Sequence, residues 1–203
     1  MRPPLPRLHA ITDERVARRP DLDEVARELA AGGGADLAFH ARGRELSGRE
    51  HHDLACRLSA FPPSLLFVND RLDIALAVSA AGVQLGRGSL APPEARHLNP
   101  AWWIGMSVHD LDEARAAQAA GADYLLLGPV YATATHPDRP PLGPERLAEV
   151  AELGLPVIAI GGVTPREIPR LRAAGAYGVA AIRALWDAVD PREAARMMVR
   201  ALG

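Results

Sequence analysis

Several polar residues of this chain come directly after short apolar runs, and their types suit the binding of an anion. The run 156–160 is followed by Gly161 and Gly162, and the run 178–182 by Arg183. Consecutive glycines let backbone N–H groups approach a ligand closely, and arginine donates paired hydrogen bonds to phosphate or carboxylate. These positions therefore predict a phosphate site. The alternatives are a tight turn without a ligand and a solvated Arg183.

Two more arginines, Arg42 and Arg44, follow the apolar run 37–41. We expect phosphate or carboxylate binding here; the alternative is ion pairing with Glu45 or Glu50. The chain contains no lysine, so Schiff-base chemistry and a lysine phosphate clamp are excluded.

Two histidines are candidates for proton transfer, because imidazole titrates near neutral pH. His40 lies in the run 37–41, and His136 lies in the long segment 129–143, a candidate lid over an active site. The alternatives are a hydrogen-bonded interior position for His40 and a solvent-exposed position for His136.

Other polar residues end or follow apolar runs and are expected to contact a substrate: Asn69, Gln84, Ser107, Thr133 and Thr135. Asp70 is the one carboxylate well placed for a metal, and it also suits the N-cap of a following helix. Mg²⁺ would prefer a second carboxylate in addition to substrate phosphate oxygens. The indication of a metal site is therefore weak.

A recurring Ala-Ala-Gly motif indicates which helices and strands position these residues. Each copy precedes an apolar run, as expected for a helix that ends at a glycine and is followed by a buried strand. Such repetition indicates a repeated strand–helix unit. The predicted strands are 8–12, 37–41, 65–69, 83–85, 103–107, 124–128, 156–160 and 178–182. The predicted helices are 21–31, 47–60, 71–80, 92–98, 110–120, 144–153, 165–174 and 191–201.

Eight such units predict a single-domain α/β fold over residues 1–203, a (β/α)8 TIM barrel, with a doubly wound sheet as the rival. In a barrel, the carboxyl ends of the strands face the active site, so the candidate residues converge on one cup. The net charge of −2 predicts no strong attraction to nucleic acid or membrane. No apolar run is long enough to span a membrane, and Cys56 is the only cysteine. We expect a cytoplasmic protein.

From Leu8 to about Ala201 the chain resembles the thiamin-phosphate synthase/TenI family. The matching segments are Leu8–Asp13, Arg42 with Leu46–Glu50, Val68–Leu76, Gly82–Leu85, Ile104–His109, Ala120–Tyr124, Gly128–Tyr131 and Ile158–Pro165. The resemblance implies a (β/α)8 barrel, usually dimeric, and one of two activities. The synthase joins hydroxymethylpyrimidine diphosphate to a thiazole phosphate with Mg²⁺, through a carbocation-like pyrimidine. TenI-type proteins are thiazole tautomerases, which shift a proton in the carboxylated thiazole phosphate.

Departures from the synthase pattern favour the tautomerase branch. Ser89 stands where synthases carry a second Mg²⁺-binding aspartate, and His136 stands where they carry a diphosphate-binding lysine. His40 replaces the glutamine of the synthase strand. Against the tautomerase, Pro129 occupies the position of the TenI proton-transfer histidine.

The first hypothesis is therefore a TenI-like tautomerase that needs no cofactor and has a homodimeric assembly. Gly161 and Gly162 would bind the thiazole phosphate, Arg42 or Arg44 the carboxylate, and His136 or His40 would transfer the proton. The alternative is a divergent Mg²⁺-dependent synthase in which arginines replace the lysines. The third hypothesis is a non-catalytic regulatory binder.

Overall fold

The computed structural model describes residues 2–133 and 140–203, which form one closed barrel of eight parallel strands in chain order. Each predicted strand is present, with ends within one residue of the prediction. The strands are β1 Leu8–Ile11, β2 Leu37–Ala41, β3 Leu65–Asn69, β4 Gly82–Leu85, β5 Trp103–Val108, β6 Tyr124–Leu127, β7 Val157–Ile160 and β8 Gly178–Ala181. The predicted (β/α)8 barrel is confirmed.

Helices surround the barrel, and several begin where the sequence supplies a cap. Ser47 and Glu50 form a reciprocal capping box, and Asp110 and Asp190 each accept a hydrogen bond from a first-turn amide. The helices are α1 Glu14–Ala17, α2 Leu22–Gly33, α3 Gly48–Leu58, α4 Leu72–Ala77, α5 Pro92–Leu98, α6 Leu111–Ala119, α7 Gly143–Ala151, α8 Ile168–Ala173, α9 Arg183–Trp186 and α10 Pro191–Leu202. The one-turn helices α1 and α9 were not predicted, because one turn is too short to show a helical period.

The core has two layers, as the alternation of side chains along a barrel strand requires. Outward-facing strand residues pack against the helices, and inward-facing residues fill the barrel, among them Ile11, Phe67, Tyr124 and Ile158. The barrel interior is therefore packed, and a ligand has room only at its ends.

The N-terminal segment covers the end of the barrel at the amino ends of the strands. Leu5 is buried in the inner layer and accepts a hydrogen bond from the Tyr177 hydroxyl at 2.6 Å. Arg2 donates two hydrogen bonds to Asp123 and lies over the Trp103 ring, 3.7 Å from its centroid. Only the opposite end, at the carboxyl ends of the strands, is left for a site.

No helix within the described residues is both long and apolar enough to cross a membrane.

Candidate active site

A cavity of about 660 Å³ lies at the carboxyl ends of the strands, where barrel enzymes place their active sites. Nine of the candidate residues line it: Arg42, Arg44, Asn69, Asp70, Ser107, Thr133, Gly161, Gly162 and Arg183. His136 and Thr135 lie outside the described residues. His40 and Gln84 do not line the cavity.

The two glycines shape one wall of this cavity. Gly161 has a φ of 101° and Gly162 a φ of 63°, which L side chains adopt with strain. A Cβ on Gly161 would lie 2.7 Å from Pro129, and one on Gly162 would lie 2.5 Å from the Ala132 carbonyl oxygen. Only glycine fits both positions, and backbone forms the cavity surface there. Ile182 and Arg183, which follow β8, line the cavity next to this turn.

Arginines supply the positive charge of the cavity. Arg42 is half-buried, and its backbone amide donates to the Thr12 hydroxyl at 2.8 Å, which fixes the end of β2 against β1. Burial, and then the charge of Arg44, lower the pKa of Arg42 from its ordinary value. Among the described residues, no carboxylate forms an ion pair with Arg42 or Arg44, and Glu50 pairs with Arg18 instead. Both guanidinium groups are available to an anionic ligand.

Asp70 connects the ends of β3 and β4. Its Oδ1 accepts hydrogen bonds from the Gly86 amide at 2.9 Å and from the Ser89 hydroxyl. Ser89 thus contacts the carboxylate rather than supplying a second one. No group of three potential metal ligands from His, Cys, Asp and Glu occurs in the described part of the chain. One carboxylate suits Mg²⁺ that arrives with substrate phosphates, since Mg²⁺ often keeps water and few protein ligands.

A group that sequence reasoning missed lies on the β4–β5 side of the cavity. Arg87 and His109 both line the cavity, and both donate to Glu113 on α6, at 2.6 Å and 2.8 Å. Burial acts to raise the pKa of Glu113, but the hydrogen bonds from His109 and Arg87 hold it below its ordinary value. The carboxylate therefore holds two basic side chains at the cavity wall. The available signal was Glu113 in the first turn of a helix capped by Asp110, because an acidic side chain there can reach back to the residue before the cap.

The expectation that His40 transfers a proton to or from substrate is wrong. His40 is fully buried beneath the cavity, where its Nε2 lies 2.8 Å from His9 Nδ1 and its Nδ1 lies 3.2 Å from the Asn69 amide oxygen. Burial, and then the neighbouring His9, lower the pKa of His40 well below its ordinary value. Both ring nitrogens already have partners. His40 and Arg42 lie two positions apart and so share the inward face of β2, but His40 lies deeper in the barrel.

Gln84 likewise lies beneath the cavity, so its expected contact with substrate is corrected. It is fully buried and donates to the Ser107 hydroxyl at 3.0 Å. Ser107 itself lines the cavity. Gln84 therefore acts on the site through the serine that it orients.

The closed barrel, with a basic cavity at the carboxyl ends of its strands and a glycine turn after β7, defines a (β/α)8 protein with its candidate site in the usual place for this fold. The chain belongs to the thiamin-phosphate synthase/TenI family, because a family model described as thiamine monophosphate synthase matches residues 8–185. The thiamine-phosphate synthase of Salinispora tropica is 43% identical over 98% of both chains. That of Methanoculleus marisnigri is 40% identical over 94% of this chain and 92% of its own.

Solved structures agree with this assignment. Thiamine phosphate pyrophosphorylase from Pyrococcus furiosus superposes with a TM-score of 0.83 and 32% identity, and covers 97% of this chain and 95% of its own. A 3-hexulose-6-phosphate synthase has a TM-score of 0.72 at 20% identity, which shows the shared fold alone. The expected family is confirmed, and the names of these relatives support an enzyme.

Proposed function

We propose that the protein is a thiamin-phosphate synthase, which joins hydroxymethylpyrimidine diphosphate to a thiazole phosphate and releases pyrophosphate. The observation that carries the proposal is that two walls of one cavity carry groups suited to anions. Arg42, Arg44 and Asp70 follow β2 and β3, whereas the Gly161–Gly162 turn and Arg183 follow β7 and β8. Strands β3 and β7 are four apart in a closed ring of eight, so these walls face each other.

Two facing anion sites suit two phosphorylated substrates. The turn at Gly161 and Gly162, with Arg183 beside it, would bind the thiazole monophosphate through backbone N–H groups and a guanidinium. Arg42 and Arg44 would bind the diphosphate. Their fixed positive charge would stabilise the negative charge that grows on the leaving pyrophosphate.

The donor set near Asp70 fits a Mg²⁺ ion bound together with the diphosphate. Asp70 would hold the ion through its carboxylate, and Ser89 would orient that carboxylate through the hydrogen bond already present. The ion, when bound, would neutralise charge on the diphosphate and assist its departure. Arg87, held by Glu113, would add positive charge on the same side, and His109 lies beside it on the same carboxylate.

Apolar side chains separate the two walls. Ile11, Leu126, Ile160 and Ala180 line the cavity between them. In the reaction, the bond between the pyrimidine methylene carbon and the diphosphate oxygen breaks, and the thiazole nitrogen donates its electron pair to that carbon. An apolar floor would exclude water from the carbocation-like carbon until the thiazole attacks.

The tautomerase, our first expectation, is less well supported than its alternative. The relatives reported above carry the synthase name, and His40 is too deep in the barrel to reach a substrate. His136 lies outside the described residues. Two of the three departures from the synthase pattern are compatible with a synthase, because Ser89 hydrogen-bonds to Asp70 and arginines line the cavity of a chain that has no lysine.

The proposal is tested by incubating the purified protein with hydroxymethylpyrimidine diphosphate, the thiazole phosphate and Mg²⁺, and measuring thiamin phosphate and pyrophosphate. We expect both products in equal amounts, and none when EDTA is added or either substrate is omitted. Binding of both substrates without product would favour the regulatory binder instead. The homodimer and the cytoplasmic location remain predictions, and sedimentation would test the former.

A further inference from the structure

A chain of buried polar groups connects the floor of the barrel with the cavity. His9 Nε2 lies 3.0 Å from the Pro6 carbonyl oxygen, and His9 Nδ1 lies 2.8 Å from His40 Nε2. His40 Nδ1 in turn lies 3.2 Å from the Asn69 amide oxygen. Both histidines are fully buried, whereas Asn69 lines the cavity. The steps of the proposed reaction do not use either histidine.

The carbonyl at the inner end fixes the direction of every hydrogen bond in a neutral chain. A carbonyl oxygen only accepts, so His9 Nε2 must carry the proton and donate to Pro6. A neutral His9 then presents a lone pair at Nδ1, so His40 Nε2 must donate to it. A neutral His40 consequently presents a lone pair at Nδ1 toward Asn69.

A lone pair at His40 Nδ1 needs a donor, and the Asn69 amide has one donor end and one acceptor end. The amide oxygen that lies 3.2 Å from His40 Nδ1 would be repelled by that lone pair. We therefore assign the amide with its oxygen and –NH2 exchanged, an exchange that leaves its shape unchanged and turns the –NH2 toward His40. The alternative is one extra proton on the histidine pair, which would place a charge in the packed interior. Burial lowers the pKa of His9 to about 4 and that of His40 well below its ordinary value, which favours the neutral pair at pH 7.

Ring packing holds this arrangement in place. The His40 ring stacks on Phe67, with centroids 5.1 Å apart and planes at 13°. The His9 ring packs between Phe67 and Tyr124, at 5.8 Å from each. These contacts fix both ring planes, so each ring nitrogen keeps its partner.

We infer that the His9–His40 pair is a positioning device that turns the carbonyl oxygen of the Asn69 amide toward the cavity. Asn69 then accepts a hydrogen bond from an N–H or O–H group of a substrate and disfavours a phosphate oxygen at that point. His9 and His40 act through Asn69 and do not touch the ligand.

The direct test is the ¹⁵N imidazole spectrum of the uniformly labelled full chain at pH 7, with His9 and His40 assigned in the wild-type protein. We expect both rings to be neutral, with the proton on Nε2 and an unprotonated Nδ1. A proton on His40 Nδ1 would overturn the inference. This measurement needs no substrate, so its outcome is independent of the proposed synthase activity.

A kinetic test, which rests on the proposed function, uses two substitutions of one residue. In His40→Gln the side-chain amide can donate to His9 and accept from Asn69, whereas His40→Leu can do neither. We expect His40→Leu to raise KM for the one substrate that contacts Asn69 roughly tenfold, as for one lost hydrogen bond, with kcat changed less than about threefold. His40→Gln should stay close to wild type. Equal KM values in the two variants would contradict a positioning role.

Discussion

Substitution of Gly161 by alanine tests whether the turn after β7 binds a phosphate. An alanine at its φ of 101° carries backbone strain of about 1–2 kcal/mol. Its Cβ would also lie 2.7 Å from the Pro129 Cα and Cβ, whereas carbon atoms ordinarily approach to about 3.5–4.0 Å. The backbone must therefore move by about 1 Å, which would displace the N–H groups of the proposed phosphate site.

The expected cost to binding follows from one hydrogen bond to a charged group. Such a bond contributes about 1.5–3 kcal/mol, so KM for the thiazole phosphate should rise roughly 10- to 150-fold in Gly161→Ala. Arg42 and Arg44, the proposed diphosphate ligands, lie across the cavity from this turn, so KM for the pyrimidine diphosphate should change less than about threefold. Steady-state kinetics with each substrate varied in turn measures both values.

Gly154→Ala is the matched control. Gly154 has a φ of 83°, but a Cβ there would meet nothing within 4 Å, and the residue is exposed away from the cavity. This variant should carry a similar backbone strain, so its Tm should be lower by roughly 2–8 °C. Its KM values should equal those of the wild type. If Gly161→Ala binds the thiazole phosphate as well as Gly154→Ala does, the turn is not the phosphate site.

Three further predictions concern carboxylates. Burial acts to raise the pKa of Asp123, but hydrogen bonds from two arginines and a backbone amide lower this pKa below its ordinary value. The charged carboxylate therefore contributes stability above about pH 4, and this contribution is lost as pH falls through the pKa of the folded state. Asp123→Asn should therefore lower the free energy of unfolding by about 2 kcal/mol at pH 7. In denaturant unfolding, the difference in this free energy from the wild type should shrink between pH 5 and pH 3. A difference that stays constant would refute the ion-pair explanation. Asp70→Asn keeps the oxygen that accepts from Gly86 and Ser89 but removes the negative charge. Half-maximal activity should then need at least about tenfold more Mg²⁺. An unchanged Mg²⁺ titration would show that Asp70 does not bind the metal. Glu113→Gln should raise KM for the diphosphate substrate several-fold, with Tm within about 2 °C, because an exposed pair contributes little stability; unchanged kinetics would show that Arg87 and His109 do not act on the substrate.

The fold was predictable because its signals are local and repeated. The strands are mostly apolar runs, as for strands buried on both faces. Glycines mark where α2, α6, α7 and α8 give way to the next strand. The cavity-lining positions followed from the same pattern, since strand ends converge in a barrel. The turn after β7 was predictable from its glycine pair, Gly161 and Gly162, and both residues have positive φ.

Depth within the barrel was not predictable from the sequence. His40 and Arg42 lie two residues apart on the same strand end, yet one is buried below the cavity and the other lines it. The tilt of each strand decides which residue reaches the cup, and no local pattern reports that tilt. His9 and His40 are 31 positions apart in the sequence, and Arg87 and Glu113 are 26 positions apart. Only the closed barrel brings the members of each pair together.

The most direct test of the proposed function follows both candidate reactions in one tube. The carboxylated thiazole phosphate is incubated with the protein and monitored by ¹H NMR, first alone, and then after addition of hydroxymethylpyrimidine diphosphate and Mg²⁺. We predict that its signals stay unchanged in the first stage, and that thiamin phosphate forms in the second stage as the thiazole nitrogen displaces pyrophosphate and the carboxyl group leaves as CO2. Conversion of the thiazole to its aromatic isomer in the first stage, without pyrimidine or metal, would contradict the synthase assignment and establish a tautomerase.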